Sequence, residues 1–270
     1  MKIYQGTLHV VLIVAALAAV LPFVWMLFAS FKGYAEVTSS YALLPIEWTL
    51  DNYREIIERV GFLNAFKNSA LVAIPNTAMI VFTSTAAGYV FAKYDFWGKE
   101  TLFTALLATM MVPFAVVVIP LFLTMRDLGL IDKLGGVVVT SVCSTFGIFM
   151  MRQAIEAIPN DYIDAARVDG ASEAWILCQV IAPLVLASMS TLAVFTFLGS
   201  WDSYMWPSLI LKSNRNHTLP IVIAGMRNLY SSRYQLWAAG SMLTVVPVMI
   251  LFTFAQKQFV SGLAMTGLKG

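Results

Sequence analysis

Apolar residues form long runs in this 270-residue chain, and polar residues collect in the segments between them. A helix that crosses the hydrocarbon core of a membrane needs about 20 mostly apolar residues. Six stretches meet this requirement: Leu8–Phe31, Asn68–Ala92, Leu102–Met125, Leu134–Met151, Leu184–Trp206 and Leu236–Phe254. The pattern therefore predicts an all-α, polytopic transmembrane helical bundle with about six spans.

The composition agrees with a lipid environment, since 59% of the residues are hydrophobic, 12% are charged and the mean hydropathy is +0.78. A water-soluble domain of this length would carry a larger charged surface. The Lys and Arg residues are scattered and form no basic stripe, which argues against a nucleic-acid partner. Cys143 and Cys178 have neither disulfide nor metal-ligand spacing, so we assign both to packing.

The first apolar run must be distinguished from a cleaved signal peptide, because Lys2 precedes it and Ala16–Ala18 offers a small-residue cleavage pattern. Apolar residues continue through Phe28 and Phe31, which favours an uncleaved first span. Neighbouring helices in a bundle can satisfy the carbonyl groups that a proline leaves free, so prolines within spans predict kinked packing or a gating hinge. These prolines are Pro22, Pro75, Pro113, Pro120 and Pro247.

Three longer connections hold most of the polar side chains. In the first, 34–67, Asp51 can cap a short amphipathic helix predicted for Tyr53–Val60. The second covers 152–183 and the third 207–236. The sequence shows no internal repeat or low-complexity tract, so we predict a single transmembrane domain, 1–270, that contains these segments as loops.

The loop Ile158–Pro183 carries a helix–turn–helix pattern. Pro159 interrupts the preceding helix, and Asn160 or Asp161 can cap the next one. Gly170 provides the left-handed backbone conformation that commonly ends a helix, and Ser172 can cap the helix that follows. The pattern predicts a short rigid projection that exposes small side chains, at Ala165 and Ala166, where another protein could approach closely.

This loop resembles the signature of the integral-membrane permeases of bacterial and archaeal ABC importers. That signature is Glu-Ala-Ala, three residues, Gly, nine residues, Ile, any residue, Leu and Pro. The chain has the same spacing, with Asp for Glu, Val for Ile and Ala for Leu. The matching residues are Asp164, Ala165, Ala166, Gly170, Val180, Ala182 and Pro183.

The resemblance implies a type I ABC importer permease fold in the bacterial or archaeal inner membrane. It implies that 152–183 is a cytoplasmic coupling loop that docks on an ATPase dimer, and that a second permease subunit and an extracytoplasmic solute-binding protein complete the transporter. The residues that it assigns to coupling are Asp161, Asp164, Ala165, Ala166, Asp169 and Gly170.

Two further segments resemble the carbohydrate-uptake group of these permeases, of the kind that partners another permease in maltose importers. They are Phe197–Tyr204, followed by Pro207 and by Thr218–Pro220, and the ending Gln258–Leu263 with Gly267–Gly270. The resemblance implies a sugar or sugar-like solute, and an outer loop that reaches the binding protein through Asn214, Arg215, Asn216 and His217.

A candidate solute path contains Trp201, Asp202 and Tyr204, because aromatic faces stack on sugar rings and a carboxylate accepts hydroxyl hydrogen bonds. An ionisable group beside a span usually faces water, a partner charge or a ligand. The alternative is an interfacial aromatic belt with a solvated acid at the helix end. Small polar side chains in the second span, at Asn76, Thr83 and Ser84, are weaker candidates, since such groups often only join helices.

The sequence offers no energy source and no catalytic set of its own. A phosphate-binding glycine loop is absent, because Gly98-Lys99 lacks the earlier glycine and is followed by Glu100. His9 and His217 lie far apart and indicate a membrane edge and an outer loop rather than a metal site. We therefore expect no cofactor in this chain, no enzymatic activity, and ATP and Mg bound by a partner ATPase.

Two alternatives stay open, an ion-coupled secondary transporter and a membrane scaffold or enzyme without transport. A secondary transporter would need buried mid-span acids and paired inverted repeats, which the sequence represents poorly. Charge does not set the orientation either. With both termini in the cytoplasm, only seven of the 17 Lys and Arg residues lie inside, against the usual bias. The orientation therefore depends on the signature loop.

Overall fold

The computed structural model describes residues 2–40, 42–59, 61–229 and 233–266, and side chains over 7–40, 42–58, 61–226 and 233–253. Regular structure in these ranges is helical. The helices are α1 Lys2–Ala29, α2 Tyr34–Ser39, α3 Asp51–Arg59, α4 Phe62–Lys93, α5 Lys99–Ala108, α6 Phe114–Asp127, α7 Leu134–Val138, α8 Thr145–Glu156, α9 Asp161–Val168, α10 Glu173–Ile176, α11 Ala182–Leu184, α12 Leu186–Trp201, α13 Met205–Ile210, α14 Leu219–Leu229 and α15 Tyr234–Thr266.

Three of the described helices are long and apolar enough to cross a membrane, with candidate spans at Thr7–Ala29, Phe62–Lys93 and Tyr234–Thr253. Three bent helix pairs also pass the test: Lys99–Met111 with Phe114–Asp127, Leu134–Ser141 with Thr145–Glu156, and Glu173–Leu184 with Leu186–Trp201. If each pair is one span, the total reaches the six that the hydrophobic pattern predicts.

The third predicted span is broken rather than merely kinked at Pro113. The helix axes on the two sides differ by 98°. Val112 adopts an extended conformation, with φ −83° and ψ 114°, the region that a residue before proline prefers. Pro22, Pro75, Pro120 and Pro247 lie inside helices, so a proline does not by itself impose such a break. A second break, of 85°, lies at Val185, two residues after Pro183. The hydrophobic pattern did not indicate this break.

The chain divides into two compact units, Met1–Ala65 with Ile221–Pro247, and Phe66–Pro220 with Val248–Gly270. In the first unit, α3 begins at Asp51, two residues earlier than predicted, and Val60 lies outside the described residues. The Asn52 side chain donates to the carbonyl groups of Ser30 at 2.9 Å and Lys32 at 2.8 Å, which ties α3 to the end of α1.

The second unit is built where α4 crosses α8 at two glycines. A Cβ added to Gly88 would lie 2.8 Å from the backbone nitrogen of Arg152, and one added to Gly147 would collide with Ser84 Oγ. Small residues at such crossings allow two helix backbones to approach closely. Next to this crossing, a buried cluster joins the two helices to the signature loop. It includes Tyr89, Met151, Ile155, Ile163, Ile176 and Ile181.

The predicted C-terminal tail is only partly described. Gly267–Gly270 lie outside the described residues, and the side chains of Gln258–Leu263 do too.

Candidate functional site

The signature loop folds as its sequence predicts, with helix α9 ending at a left-handed Gly170, φ +80°. The Gly170 N–H donates to the Arg167 carbonyl at 3.0 Å, and the Ala171 N–H donates to the Ala166 carbonyl at 3.0 Å. This pair of bonds is the Schellman arrangement that closes a helix C-terminus. Ser172 Oγ then accepts the Trp175 N–H at 3.4 Å, as expected of a cap for α10.

Asn160 does not cap α9 with its side chain. Its Oδ1 accepts a hydrogen bond from Lys93 Nζ at 2.9 Å, and the same ammonium donates to the carbonyl of Ile158. The carboxylate of Asp161 instead lies in the first turn of α9, where a negative charge favours the exposed amide groups. The end of α4 therefore holds the segment that enters the loop.

Arg167 joins the two loop helices through acidic partners on both sides. Its Nε donates to Glu173 Oε1 at 2.9 Å, and its guanidinium lies 3.5 Å from Asp164 Oδ1. The hydrogen bond from Arg167 to Glu173 raises the pKa of the guanidinium. Tyr89 of α4 donates to the other oxygen of Glu173 at 2.7 Å, so the loop is connected to α4 as well.

The outer surface of this loop is a groove of about 680 Å³, not a plain knob. The prediction that Ala166 is exposed is wrong, because its side chain is 8% exposed, while Ala165 is exposed. Ala166 follows Ile163 by three residues, so both point to the same face of α9, and that face packs on the buried cluster. The groove is lined by Tyr162, Ala165, Ala166, Asp169, Gly170, Ala171, Ser172, Trp175 and Val180.

Large apolar side chains are exposed around this groove. Val168 is 87% exposed, Tyr162 is 55% exposed and Trp175 is 51% exposed. Asp161, Asp164 and Asp169 are exposed beside them, so the structure places all six predicted coupling residues in one compact loop. Apolar surface that is edged with charge is typical of a protein interaction site.

The loop that contains Asn214–His217 is fastened to the rest of the second unit at both ends. Asp132 Oδ1 accepts the backbone N–H groups of Lys212 and Ser213, each at 2.9 Å, and Ser213 Oγ at 3.0 Å. These bonds, first of all the one from the Ser213 backbone, lower the pKa of the Asp132 carboxyl. The sequence pattern did not identify Asp132; its left-handed backbone, φ 59°, is visible only in the structure.

At the other end of that loop, Asn68 Nδ2 donates to the carbonyl groups of Arg215 and His217, both at 2.9 Å. Asn216 donates in turn to the carbonyl of Asp132 at 2.6 Å. The side chains of Asn214 and Arg215 are exposed, whereas those of Asn216 and His217 are half-buried. The loop is therefore held rigidly and presents Asn214 and Arg215 to the surroundings.

Replacing Asp132 by alanine is expected to loosen this loop, because three hydrogen bonds to Oδ1 are lost and alanine disfavours positive φ. Tryptic cleavage after Lys212 and Arg215 should accelerate in the purified protein, as followed by mass spectrometry. Asp132→Asn keeps an acceptor oxygen and tolerates positive φ, so its cleavage rate should stay nearer to that of the parent. Equal rates for parent and Asp132→Ala would show that Asp132 does not hold the loop.

The candidate solute path is only partly supported by its geometry. Trp201 is 1% exposed and packs between Phe197, stacked at 5.5 Å, and Phe66, edge-on at 5.4 Å. The prediction that Trp201 lines the solute path is therefore wrong, because its ring belongs to the core of the second unit. Asp202 ends α12 and is exposed, and Tyr204 is 50% exposed.

A cavity of about 480 Å³ lies beside these residues and is lined by their neighbours instead. Ser200, Ser203 and Trp206 contribute from α12, α13 and the turn that joins them, and Asn76 contributes from α4. Asn76 donates to Ser200 Oγ at 3.2 Å. The sequence had marked Asn76 as a weak candidate, and its only signal was an amide in the middle of an apolar run.

Within the described residues, no group of three or more His, Cys, Asp and Glu side chains could hold a metal ion. Cys143 and Cys178 are free and exposed. The features that stand out in the second unit are thus a grooved loop, a fastened outer loop and a neutral polar cavity, on helices long and apolar enough for a membrane.

Comparison with known proteins places the chain in a family. Residues 80–264 match the family described as binding-protein-dependent transport system inner membrane component, and the chain belongs to that family. It is therefore a multi-pass transport component of the inner membrane. The resemblance seen in the signature loop, the all-α fold and the membrane location are confirmed.

Individual relatives agree along nearly the whole chain. The arabinooligosaccharides transport system permease protein AraQ of Halalkalibacterium halodurans is 34% identical over 94% of this chain and 93% of its own length. The lactose transport system permease protein LacG of Rhizobium radiobacter is 31% identical, over 94% and 92%. A solved bacterial ABC transporter involved in import of the acidic polysaccharide alginate has a similar chain, with TM-score 0.85, 25% identity, and coverage of 96% and 97%.

Proposed function

We propose that this chain is the permease subunit of an ABC importer for a sugar or sugar-like solute, and that its grooved loop couples ATP hydrolysis by a partner ATPase to solute uptake. Relatives named for arabinooligosaccharides, lactose and galactooligosaccharides support the sugar class. Family membership favours this function over an ion-coupled secondary transporter.

The observation that carries the coupling role is the rigid, solvent-facing groove between α9 and α10. Gly170 closes α9, Arg167 bridges to Glu173, and Glu173 is held by Tyr89 of α4. A push on the loop is therefore transmitted to a long apolar helix through hydrogen bonds and a buried cluster rather than absorbed by a flexible segment. This connection is what an ATP-driven lever requires.

The charge around the groove indicates what kind of surface fits it. Asp161, Asp164 and Asp169 are exposed and acidic, while Arg167 is paired with Asp164 and Glu173. An interface commonly sets opposite charges against each other, so the docking surface of the ATPase is expected to carry Lys or Arg around an apolar contact. In this assembly the loop is cytoplasmic, and the ATPase binds ATP and Mg.

The same proposal includes two further partners. A second permease subunit completes the transmembrane path, and an extracytoplasmic binding protein delivers solute to the fastened loop that presents Asn214 and Arg215. A solved alginate ABC transporter in complex with a pentasaccharide-bound periplasmic protein has the fold of this chain, with TM-score 0.66 and 13% identity.

Replacing Ala165 by arginine tests the docking surface. Ala165 is exposed in the groove, so arginine adds bulk and positive charge there without disturbing the buried cluster. We expect the partner ATPase to be lost from the tagged permease on purification, or its affinity to fall by about tenfold or more, as for a blocked interface centre. The retained ATPase is measured by quantitative immunoblot and by ATP hydrolysis.

The matched control is Ala35→Arg, which places the same side chain on the exposed surface of α2, outside the groove. That variant should keep the ATPase. If Ala165→Arg copurifies with as much active ATPase as the parent, the groove is not the docking surface and the proposed orientation fails with it.

A further inference from the structure

We propose that the neutral cavity beside α12, lined by Asn76, Ser200 and Trp206, is a binding subsite for one uncharged sugar ring. This permease would then contact the transported solute itself, an inference that rests on the proposed sugar-importer function. Its volume, about 480 Å³, lies within the roughly 300 to 1,000 Å³ common for small-molecule sites.

Asn76 lines the cavity and has an unpaired polar atom. It lies in the apolar helix α4, its side chain is 7% exposed, and its amide nitrogen donates to Ser200 Oγ at 3.2 Å. Its Oδ1 atom has no hydrogen-bond partner within the described part of the chain. Burying a carbonyl oxygen without a partner is costly, so an unpaired oxygen on a side chain that lines a cavity indicates that a ligand or water supplies the missing donor.

Trp206 lines the same cavity from a different helix, α13. It is 7% exposed, its ring packs edge-on against Phe114 at 6.0 Å, and its Nε1 also lacks a partner in the described structure. An indole offers an apolar surface for the C–H groups of a sugar ring and an N–H for a hydroxyl oxygen. Two side chains that line the same cavity, one on α4 and one on α13, thus each carry an unpaired polar atom.

The lining also sets the charge of the ligand. Among the described residues that line the cavity, none is charged. Its polar side chains carry hydroxyls, such as those of Thr196 and Ser203, one amide and one indole N–H. A buried carboxylate needs a paired cation, which this lining does not provide. The subsite therefore suits a neutral sugar and disfavours a uronic acid, unlike the cargo named for the alginate transporter.

Gly199 permits a test that leaves the polar groups in place. It lines the cavity, and a Cβ added to it meets nothing within 4 Å, so a leucine there fills open space instead of displacing the helix. The complete transporter in proteoliposomes is offered radiolabelled arabinooligosaccharide, lactose, galactooligosaccharide and alginate oligosaccharide. We expect Gly199→Leu to lower the sugar transported per ATP hydrolysed by about tenfold, and Asn76→Leu to lower it by about three- to tenfold.

The control is Gly225→Leu, at a helical glycine of α14 whose added Cβ also meets open space. Bound ATPase should match the parent in all three variants, and Gly225→Leu should also keep the parental stimulated hydrolysis and sugar-to-ATP ratio, which separates this inference from failure of the coupling proposal. Parental sugar-to-ATP ratios in Gly199→Leu would overturn the subsite. A parent that transports only alginate oligosaccharide would overturn its neutral specificity.

Measuring whether sugar occupies the cavity distinguishes a ligand site from a packing defect. In a Cys143→Ser, Cys178→Ser background, Ser203→Cys places a thiol at the cavity. The transported neutral sugar, in the presence of ATP and the binding protein, should slow modification of that thiol by a methanethiosulfonate reagent. An unchanged rate would mean that the cavity holds only water during transport, and the proposal would fail.

Discussion

Gly170→Val is expected to yield a correctly inserted permease that no longer drives solute uptake. Gly170 has φ +80°, and a β-branched residue in this region costs on the order of 1–2 kcal/mol. The strain is relieved by unwinding the end of α9, which breaks the hydrogen bonds from Gly170 to Arg167 and from Ala171 to Ala166. The groove would then lose its defined shape.

Three quantities separate the outcomes: bound ATPase, solute-stimulated ATP hydrolysis and uptake in proteoliposomes. We expect the ATPase either to dissociate or to hydrolyse ATP without accompanying uptake. Parental values for all three would contradict the coupling role of the loop.

Gly129 provides a matched control for this strain. It ends α6 with φ +65°, and the hydrogen bonds from Gly129 to Arg126 and from Leu130 to Met125 form the same closing arrangement. Gly129→Val therefore imposes a similar local cost outside the proposed coupling loop. If it abolishes coupling as completely as Gly170→Val, backbone strain as such is responsible and the loop has no special role.

Gly88→Ala is expected to destabilise the second unit more than any surface change. A methyl group at Gly88 would lie 2.8 Å from the Arg152 nitrogen and 2.9 Å from the Met151 carbonyl carbon, which are backbone atoms that cannot rotate away. The α4 and α8 helices must separate, and overpacking of this kind costs about 1–3 kcal/mol or more. We expect a lower yield of monodisperse protein and a lower melting temperature in detergent.

Gly199→Ala tests whether the loss comes from the crossing. The same substitution there meets open space, and alanine favours a helix by about 1 kcal/mol over glycine, so its melting temperature should be unchanged or higher. If Gly88→Ala melts at the parental temperature, the two helices do not need their close approach for stability.

Local features could be predicted from the sequence because neighbouring residues decide them. Apolar run length determined six candidate spans, and the turn chemistry of Gly170 and Ser172 determined the helix–turn–helix of the signature loop. The spacing from Asp164 to Pro183 was enough to indicate the family. Each of these patterns depends on residues that lie close together in the sequence.

Burial in the same loop was decided by tertiary packing. Ala165 and Ala166 are identical side chains in adjacent positions, yet one is exposed and the other covers the buried cluster. Trp201 was predicted to line a solute path because aromatic faces stack on sugar rings and Asp202 follows it, but Phe66, far away in the sequence, covers its ring.

The sequence could not show which side chains are buried because a membrane protein is surrounded by lipid. Lipid and protein core are both apolar, so hydrophobic periodicity identifies a helix without showing which face packs and which meets lipid. The approach of α4 to α8, the cavity at Asn76 and the anchor at Asp132 arise from residues tens of positions apart. The sequence by itself determined the apolar spans, the turn of the signature loop and the family, whereas only the tertiary structure decided where spans break and which of their side chains meet.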